Sequence, residues 1–179
     1  MPDVPADRFA RIRLLLLDVD GVLTDGRIVY TDAGHEIKAF HVRDGAGLKV
    51  WRQSGGRIAI LTGRSSPVVT RRAAELGVEL VIQGADEKSP ALRRILTETG
   101  LGPDQVCAVG DDLPDLPVLT WCGLAVAVAD AAPEVRSVAH FVTTAPGGHG
   151  AVREVVEWLM RGRGTWDTAV AALLGNDTE

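Results

Sequence analysis

Short apolar runs alternate with stretches of helical periodicity along most of this chain, and that alternation restricts its fold more than any other feature. Runs rich in Leu, Val and Ile occur at Ile12–Leu17, Arg57–Leu61, Val78–Ile82, Val106–Val109 and Leu124–Val128. They read as strands buried on both faces. Between them, Ala46–Gln53, Pro67–Leu76, Pro90–Thr99 and Asp115–Trp121 carry helical spacing, with Pro67 and Pro90 where a first helical turn tolerates proline. Parallel strands need crossover connections, so the expected architecture is α/β: a three-layer parallel sheet with helices on both faces. In such sheets a site forms beyond the carboxyl ends of the strands. Polar residues follow three of the runs, at Asp18, Thr62 and Asp111.

Two segments depart from the alternation. Arg27–Tyr30 and Ile37–Val42 are strand-like and flank the turn-prone Asp32-Ala33-Gly34, which predicts a β-hairpin inserted after the first strand at about 27–42. After the loop Pro146-Gly147-Gly148, the residues Val152, Val155, Val156, Leu159 and Met160 share one helical face. Arg161-Gly162-Arg163-Gly164 then reads as a hinge or C-cap before a short tail helix, Trp166–Leu174, so a C-terminal helix and tail occupy about 151–179. At 179 residues the whole chain, 1–179, fits one domain.

The formal net charge of -5 argues against a duplex nucleic-acid partner, which calls for a basic patch. A small anionic substrate would instead need local positive charge or a metal. Cys107 and Cys122 lie in apolar stretches with no second pair to complete a zinc site, and read as buried thiols. The run Leu14–Leu17 stops at Asp18, too short for export or for a membrane span. No membrane association is expected, and a cytoplasmic location is inferred.

Four constellations carry chemistry. In the first, Asp18 ends a strand, Asp20 can face the same cleft, and Gly21 lets the backbone turn sharply. A carboxylate can attack phosphorus directly to give an acyl phosphate, while a second carboxyl serves as acid toward the leaving alkoxide and later as base toward water. Asp18 is the candidate nucleophile and Asp20 the candidate acid/base, although Asp-x-Asp alone also fits a turn or helix cap. The second is Thr62-Gly63-Arg64, where a hydroxyl and a free backbone N–H can hold a phosphoryl oxygen at a helix start; in isolation it also fits a cap. The third is Lys88, a cation just before the helix start at Ser89-Pro90, suited to neutralise a phosphoryl group. The fourth is Gly110-Asp111-Asp112-Leu113-Pro114-Asp115. Magnesium takes oxygen ligands and keeps several waters, so Asp111 beside Asp18 suffices as a direct ligand, with Asp112 and Asp115 supporting it or binding through water. Asp115 can also simply cap the next helix.

The order of these four groups resembles the haloacid dehalogenase superfamily and, within it, the octulosonate 8-phosphate phosphatase family. The likeness runs from about Ile12 to Trp158. It includes Lys38-Ala39-Phe40, Val42-Arg43-Asp44-Gly45, Gln83-Gly84, Val126-Ala127-Val128-Ala129-Asp130-Ala131 and Gly150-Ala151-Val152-Arg153-Glu154. The resemblance implies a Rossmann-like, Mg2+-dependent phosphatase with Asp18 as nucleophile and Asp20 as acid/base and backbone-carbonyl metal ligand. It also implies Thr62 and Lys88 as phosphate contacts and Asp111 as metal ligand. The stretches from Asp20 to Thr62 and from Thr62 to Lys88 are each too short for a separate cap domain, which takes about 50 residues or more beyond the connecting elements. The site is therefore expected to be capless. The resembling family is tetrameric, with the hairpin building the subunit contact and a neighbour's C-terminal region covering the site, and a homotetramer is expected here.

Arg43, Arg64, Gly148 and His149 are the candidates for binding a sugar acid's carboxylate and hydroxyls. His149 stands where the best-known octulosonate enzymes carry arginine, whose guanidinium fork clamps a carboxylate better. Arg64 favours an eight-carbon acid over nine-carbon relatives, in which that position tends to be acidic. His35, His41 and His140 read as loop, hairpin or strand-edge residues and not as metal ligands. The expected substrate is a phosphorylated sugar acid, with a nine-carbon keto-acid phosphate or another small monoester as the alternative. A reading of another class is an accessory subunit, since similar chains resemble the small subunit of phenylphosphate carboxylase.

Overall fold

The computed structural model of the protein describes residues 4–175, so the outermost residues of the expected 1–179 domain lie outside the described residues. In chain order the elements are α1 (Ala6–Arg11), β1 (Leu14–Leu17), β2 (Val29–Tyr30), β3 (Glu36–Ile37), α2 (Val42–Gln53), β4 (Arg57–Leu61), α3 (Pro67–Leu76), β5 (Leu80–Ile82) and α4 (Lys88–Thr99). They continue with β6 (Val106–Gly110), α5 (Leu116–Leu119), β7 (Leu124–Ala127), α6 (Pro133–Val138), β8 (Phe141–Val142), α7 (Ala151–Gly162) and α8 (Trp166–Leu173).

The six-stranded sheet has the order β5-β4-β1-β6-β7-β8, with every pairing parallel. Each residue of β1 is buried, as is each of β6 and β7, because helices cover both faces. Contacts group α1, α2, α3 and α7 on one side and α4, α5 and α6 on the other. From β1 the chain winds outward through β4 and β5, returns by way of α4 to β6 on the other side of β1, and winds outward again. The reversal puts a crevice at the carboxyl ends of β1, β4 and β6.

Local chemistry sets the helix ends. Ser66 caps α3 by accepting from the Val68 N–H at 3.2 Å, Pro67 opens its first turn, and Gly77 closes it at φ 65. The apolar face foreseen for α7 is buried from Val152 to Met160. Trp158 on that face stacks on Phe141 at 4.7 Å and meets Phe9 edge-on at 4.8 Å, joining α7 to β8 and α1.

The structure corrects several element boundaries. The inserted hairpin is smaller than 27–42: its second strand is only β3, and Val42 already begins α2. A distant contact explains the early helix start, since Asp44 in the first turn of α2 is buried and its Oδ1 accepts from the Arg153 N–H at 2.8 Å. The helix expected over Asp115–Trp121 is divided into a 3-10 turn at Leu113–Asp115 and the short α5, as Pro114 and Pro117 remove backbone donors. The hinge expected at 161–164 narrows to the turn after Gly162, because α7 runs that far. Elements α1, α6 and β8 are too short to leave a periodic signal. Cys107 and Cys122 are buried free thiols, as expected.

Candidate active site

The carboxyl ends of three adjacent strands deliver the chemistry. Leu17 pairs in register with Ile60 of β4 and Val109 of β6, so the residues that follow, Asp18, Thr62 and Asp111, come out at one edge. They line a cleft of about 410 Å3 together with Asp20, Lys88 and Asp115. Lys88 is the first residue of α4, not a residue preceding it, and projects from that helix into the same space.

Three carboxylates converge there. Oxygen atoms of Asp18, Asp111 and Asp115 lie within 4.8 Å of one another. Lys88 is their cation: Nζ is 2.9 Å from Asp18 Oδ1 and 2.5 Å from Asp115 Oδ1. Asp115 Oδ2 accepts from the Asp111 N–H at 3.0 Å and from the Asp112 N–H at 3.4 Å, so it braces the loop after β6. Burial, offset by Lys88 and reinforced by Asp115, pushes the Asp18 carboxyl up to about 6. Burial and the charges of Asp18 and Asp115 push Asp111 up to about 8. Burial disfavours the Lys88 ammonium, but the two aspartates outweigh it and hold its pKa above the ordinary value.

This donor set fits a hard divalent cation. Asp18 Oδ1 is buried without a hydrogen bond, since Lys88 stands at ion-pair distance but not in a donor's alignment. One ammonium facing three clustered carboxylates leaves negative charge uncompensated, which is what oxygen-ligated Mg2+ relieves. Asp18 and Asp111 can hold such an ion, and Asp115 can support it. The side chain of Asp112, by contrast, is exposed and accepts from the Leu113 N–H at 2.8 Å, capping the 3-10 turn.

Two glycines make room. Gly21 has φ 92, and a Cβ there would collide with the Asp111 carboxylate. A Cβ on Gly110 would come within 2.6 Å of Asp115 Oδ2. Thr62 is buried with its N–H given to Ile82 O at 3.0 Å, so it has only its hydroxyl to offer. Gly63 lines the cleft beside it, and its N–H has no acceptor among the described residues.

The residues expected to bind a sugar acid separate in the structure. Arg64 lines the cleft, but its Nη2 donates to Tyr30 Oη and Glu36 Oε1, each at 3.2 Å, and its Nε is 3.8 Å from Asp20 Oδ2. Arg43, Gly148 and His149 do not line this chain's cleft. Arg43 is exposed on α2. The Gly148 N–H holds Val22 O at 3.0 Å behind the Asp20 loop, and exposed His149 turns its Nδ1 to Gly147 O at 2.8 Å. His35, His41 and His140 are not members of the carboxylate cluster.

Sequence reasoning missed Lys38. Its ammonium contacts Asp20 Oδ1, with Glu36 Oε1 at 3.6 Å, and its side chain is 1% exposed. The only available signal was its place in the motif Lys38-Ala39-Phe40; its burial depends on how the hairpin folds over the Asp20 loop.

Residues 78–155 match the family of haloacid dehalogenase-like hydrolases. The 3-deoxy-D-manno-octulosonate 8-phosphate phosphatase KdsC of Escherichia coli (strain K12) is 46% identical over 169 residues, 93% of this chain and 90% of that protein. Among solved structures, the 3-deoxy-D-manno-octulosonate 8-phosphate phosphatase of Moraxella catarrhalis, in complex with magnesium ion, phosphate ion and KDO, superposes with a TM-score of 0.91 at 42% identity, covering 94% of this chain and 97% of that one. The cobalt-bound deoxy-D-mannose-octulosonate 8-phosphate phosphatase of Haemophilus influenzae gives 0.87 at 39%, covering 93% and 99%.

Proposed function

The chain belongs to the haloacid dehalogenase-like hydrolases and, within them, to the family of 3-deoxy-D-manno-octulosonate 8-phosphate phosphatases; from that premise we propose that it hydrolyses this phosphorylated sugar acid, with Mg2+, to the free acid and phosphate. The observation that carries the proposal is the meeting of Asp18, Asp111 and Asp115 with Lys88 in one cleft at the strand ends.

Each residue has a chemical task. The Asp18 carboxylate attacks phosphorus and forms an aspartyl-phosphate as the sugar oxygen leaves. Asp20 gives that oxygen its proton, then takes a proton from the water that attacks the aspartyl-phosphate, releasing phosphate and restoring Asp18. The Thr62 hydroxyl, the Gly63 N–H and the Lys88 ammonium hold the phosphoryl oxygens, where fixed donors stabilise the charge that builds in transfer. The carboxylates of Asp18 and Asp111 and the carbonyl of Asp20 would hold Mg2+, which would supply positive charge to Asp18 and the phosphoryl group.

We place the activity in the cytoplasm, supplying the sugar acid for lipopolysaccharide synthesis, and propose a homotetramer. Among the described residues no helix is long and apolar enough to cross a membrane. The hairpin exposes the apolar side chains of Ile28, Val29, Tyr30 and Ile37, with Val29 and Ile37 paired across its strands, and such residues suit a subunit contact. In that assembly Arg43 and His149, exposed on one protomer, are available to a neighbour's substrate.

Steady-state turnover with and without Mg2+ on octulosonate 8-phosphate, a nine-carbon keto-acid 9-phosphate and unrelated monoesters tests the substrate. The proposal expects magnesium-dependent hydrolysis with the eight-carbon substrate preferred. Equal rates across unrelated phosphates would remove the specific assignment, and co-purification with a larger partner without phosphatase activity would favour an accessory subunit.

A further inference from the structure

Lys38 is a buried cation that the reaction above leaves without a task. It does not line the cleft, so it acts on no substrate directly. A buried ammonium is strongly disfavoured unless paired, and Glu36 at 3.6 Å already offers a carboxylate. The closer contact nevertheless goes to Asp20 Oδ1. Around the pair, Asp20 and Glu36 face Lys38 and Arg64, two negative charges against two positive. The hairpin builds this square. Tyr30 pairs with Glu36 across β2 and β3, and Arg64 bonds to both.

We propose that Lys38 is a positioning residue for Asp20, fixing one carboxylate oxygen so that the carboxyl keeps a single orientation at the cleft. The proposal rests on the assignment of Asp20 as acid/base. A neutral side chain at position 38 frees the Asp20 carboxylate to swing toward Arg64, now 3.8 Å from its Oδ2. Proton transfer depends on placement within a fraction of an ångström, so such freedom slows steps that need the proton and spares those that do not.

The test compares Lys38→Met, Lys38→Arg, Asp20→Asn and the double variant with wild type in Mg2+, on octulosonate 8-phosphate and on p-nitrophenyl phosphate. It reads kcat/KM, which covers the steps through transfer to Asp18. A sugar alkoxide needs a proton to leave; nitrophenolate leaves as a stable anion. Lys38→Met is expected to lower kcat/KM about 10- to 100-fold on the sugar phosphate and less than about threefold on the nitrophenyl ester. It should add nothing to Asp20→Asn, and Lys38→Arg should recover part of the loss. Equal losses on both substrates, losses that add in full to Asp20→Asn, or no loss would each overturn the proposal. Lys38→Gln provides the same comparison should the methionine variant not fold. The Asp20→Asn control separates the two levels: wild-type turnover there removes the acid/base assignment itself, whereas a slow Asp20→Asn beside an unaffected Lys38→Met removes only the role of Lys38.

Discussion

The Lys88 ammonium lies 2.9 Å from the Asp18 carboxylate, with both side chains almost wholly withdrawn from water at 5% and 10% exposure. Asp115, 7% exposed, completes the group at 2.5 Å from Nζ. Removing one partner from such a group leaves buried charge without compensation, the situation that breaks buried ion pairs most severely. Lys88→Met should therefore destabilise the metal-free protein by about 3 kcal/mol or more. Urea unfolding in the presence of a chelator measures it, and an unchanged midpoint would mean that the aspartates neutralise themselves by taking up protons.

The same crowding makes stability depend on pH. Asp18 and Asp111 have folded pKa values raised from 3.8 to about 6 and about 8, chiefly by burial. Between the unfolded and folded values the native state binds more protons than the unfolded one, so this contribution is greatest in acid and is lost as pH rises through the folded values. The metal-free melting temperature should fall across that window, with the slope reduced in Asp111→Asn. Added Mg2+ should raise the melting temperature more toward the alkaline end, where both ligands are ionised. Calorimetry with chelator and with Mg2+ checks both signs.

Gly21 sets the space for Asp111. At φ 92, with the carboxylate where a Cβ would stand, Gly21→Ala should strain the turn and displace the ligand. The expected result is a half-saturating Mg2+ concentration raised about 10- to 100-fold. Turnover titrated with Mg2+ reads it, and an unshifted curve would show that Asp111 has room to move without consequence.

Asp20→Asn should slow hydrolysis of the sugar phosphate by about 10²–10⁴, and should also lower the melting temperature, because the buried Lys38 ammonium is left with Glu36 alone. Its side chain is 18% exposed at the cleft and tethered through Lys38. Wild-type rates from this variant would refute its role.

Asp18, Thr62 and Asp111 were legible in the sequence because each follows a buried apolar strand, and parallel packing makes those strand ends a common edge. Lys88 was legible as a cation near a helix start, though not as the first residue of α4. Asp115 fitted both a helix cap and metal support; in space it holds two backbone amides and Lys88 at once. Lys38 left no signal beyond its place in the motif Lys38-Ala39-Phe40, and Glu36 left none. Their significance arises from the hairpin lying over the Asp20 loop, a tertiary relation that neither periodicity nor spacing encodes. The early start of α2 was hidden for the same reason, since its first turn is fastened by Arg153, far along the chain.

Transfer of the phosphoryl group to Asp18 is the claim on which the rest depends. Wild-type protein quenched in acid during turnover of octulosonate 8-phosphate with Mg2+, then digested and weighed by mass spectrometry, should carry a phosphate adduct on the peptide containing Asp18, and Asp18→Asn should carry none and release no phosphate. An adduct on another residue, or undiminished turnover by Asp18→Asn, would contradict it.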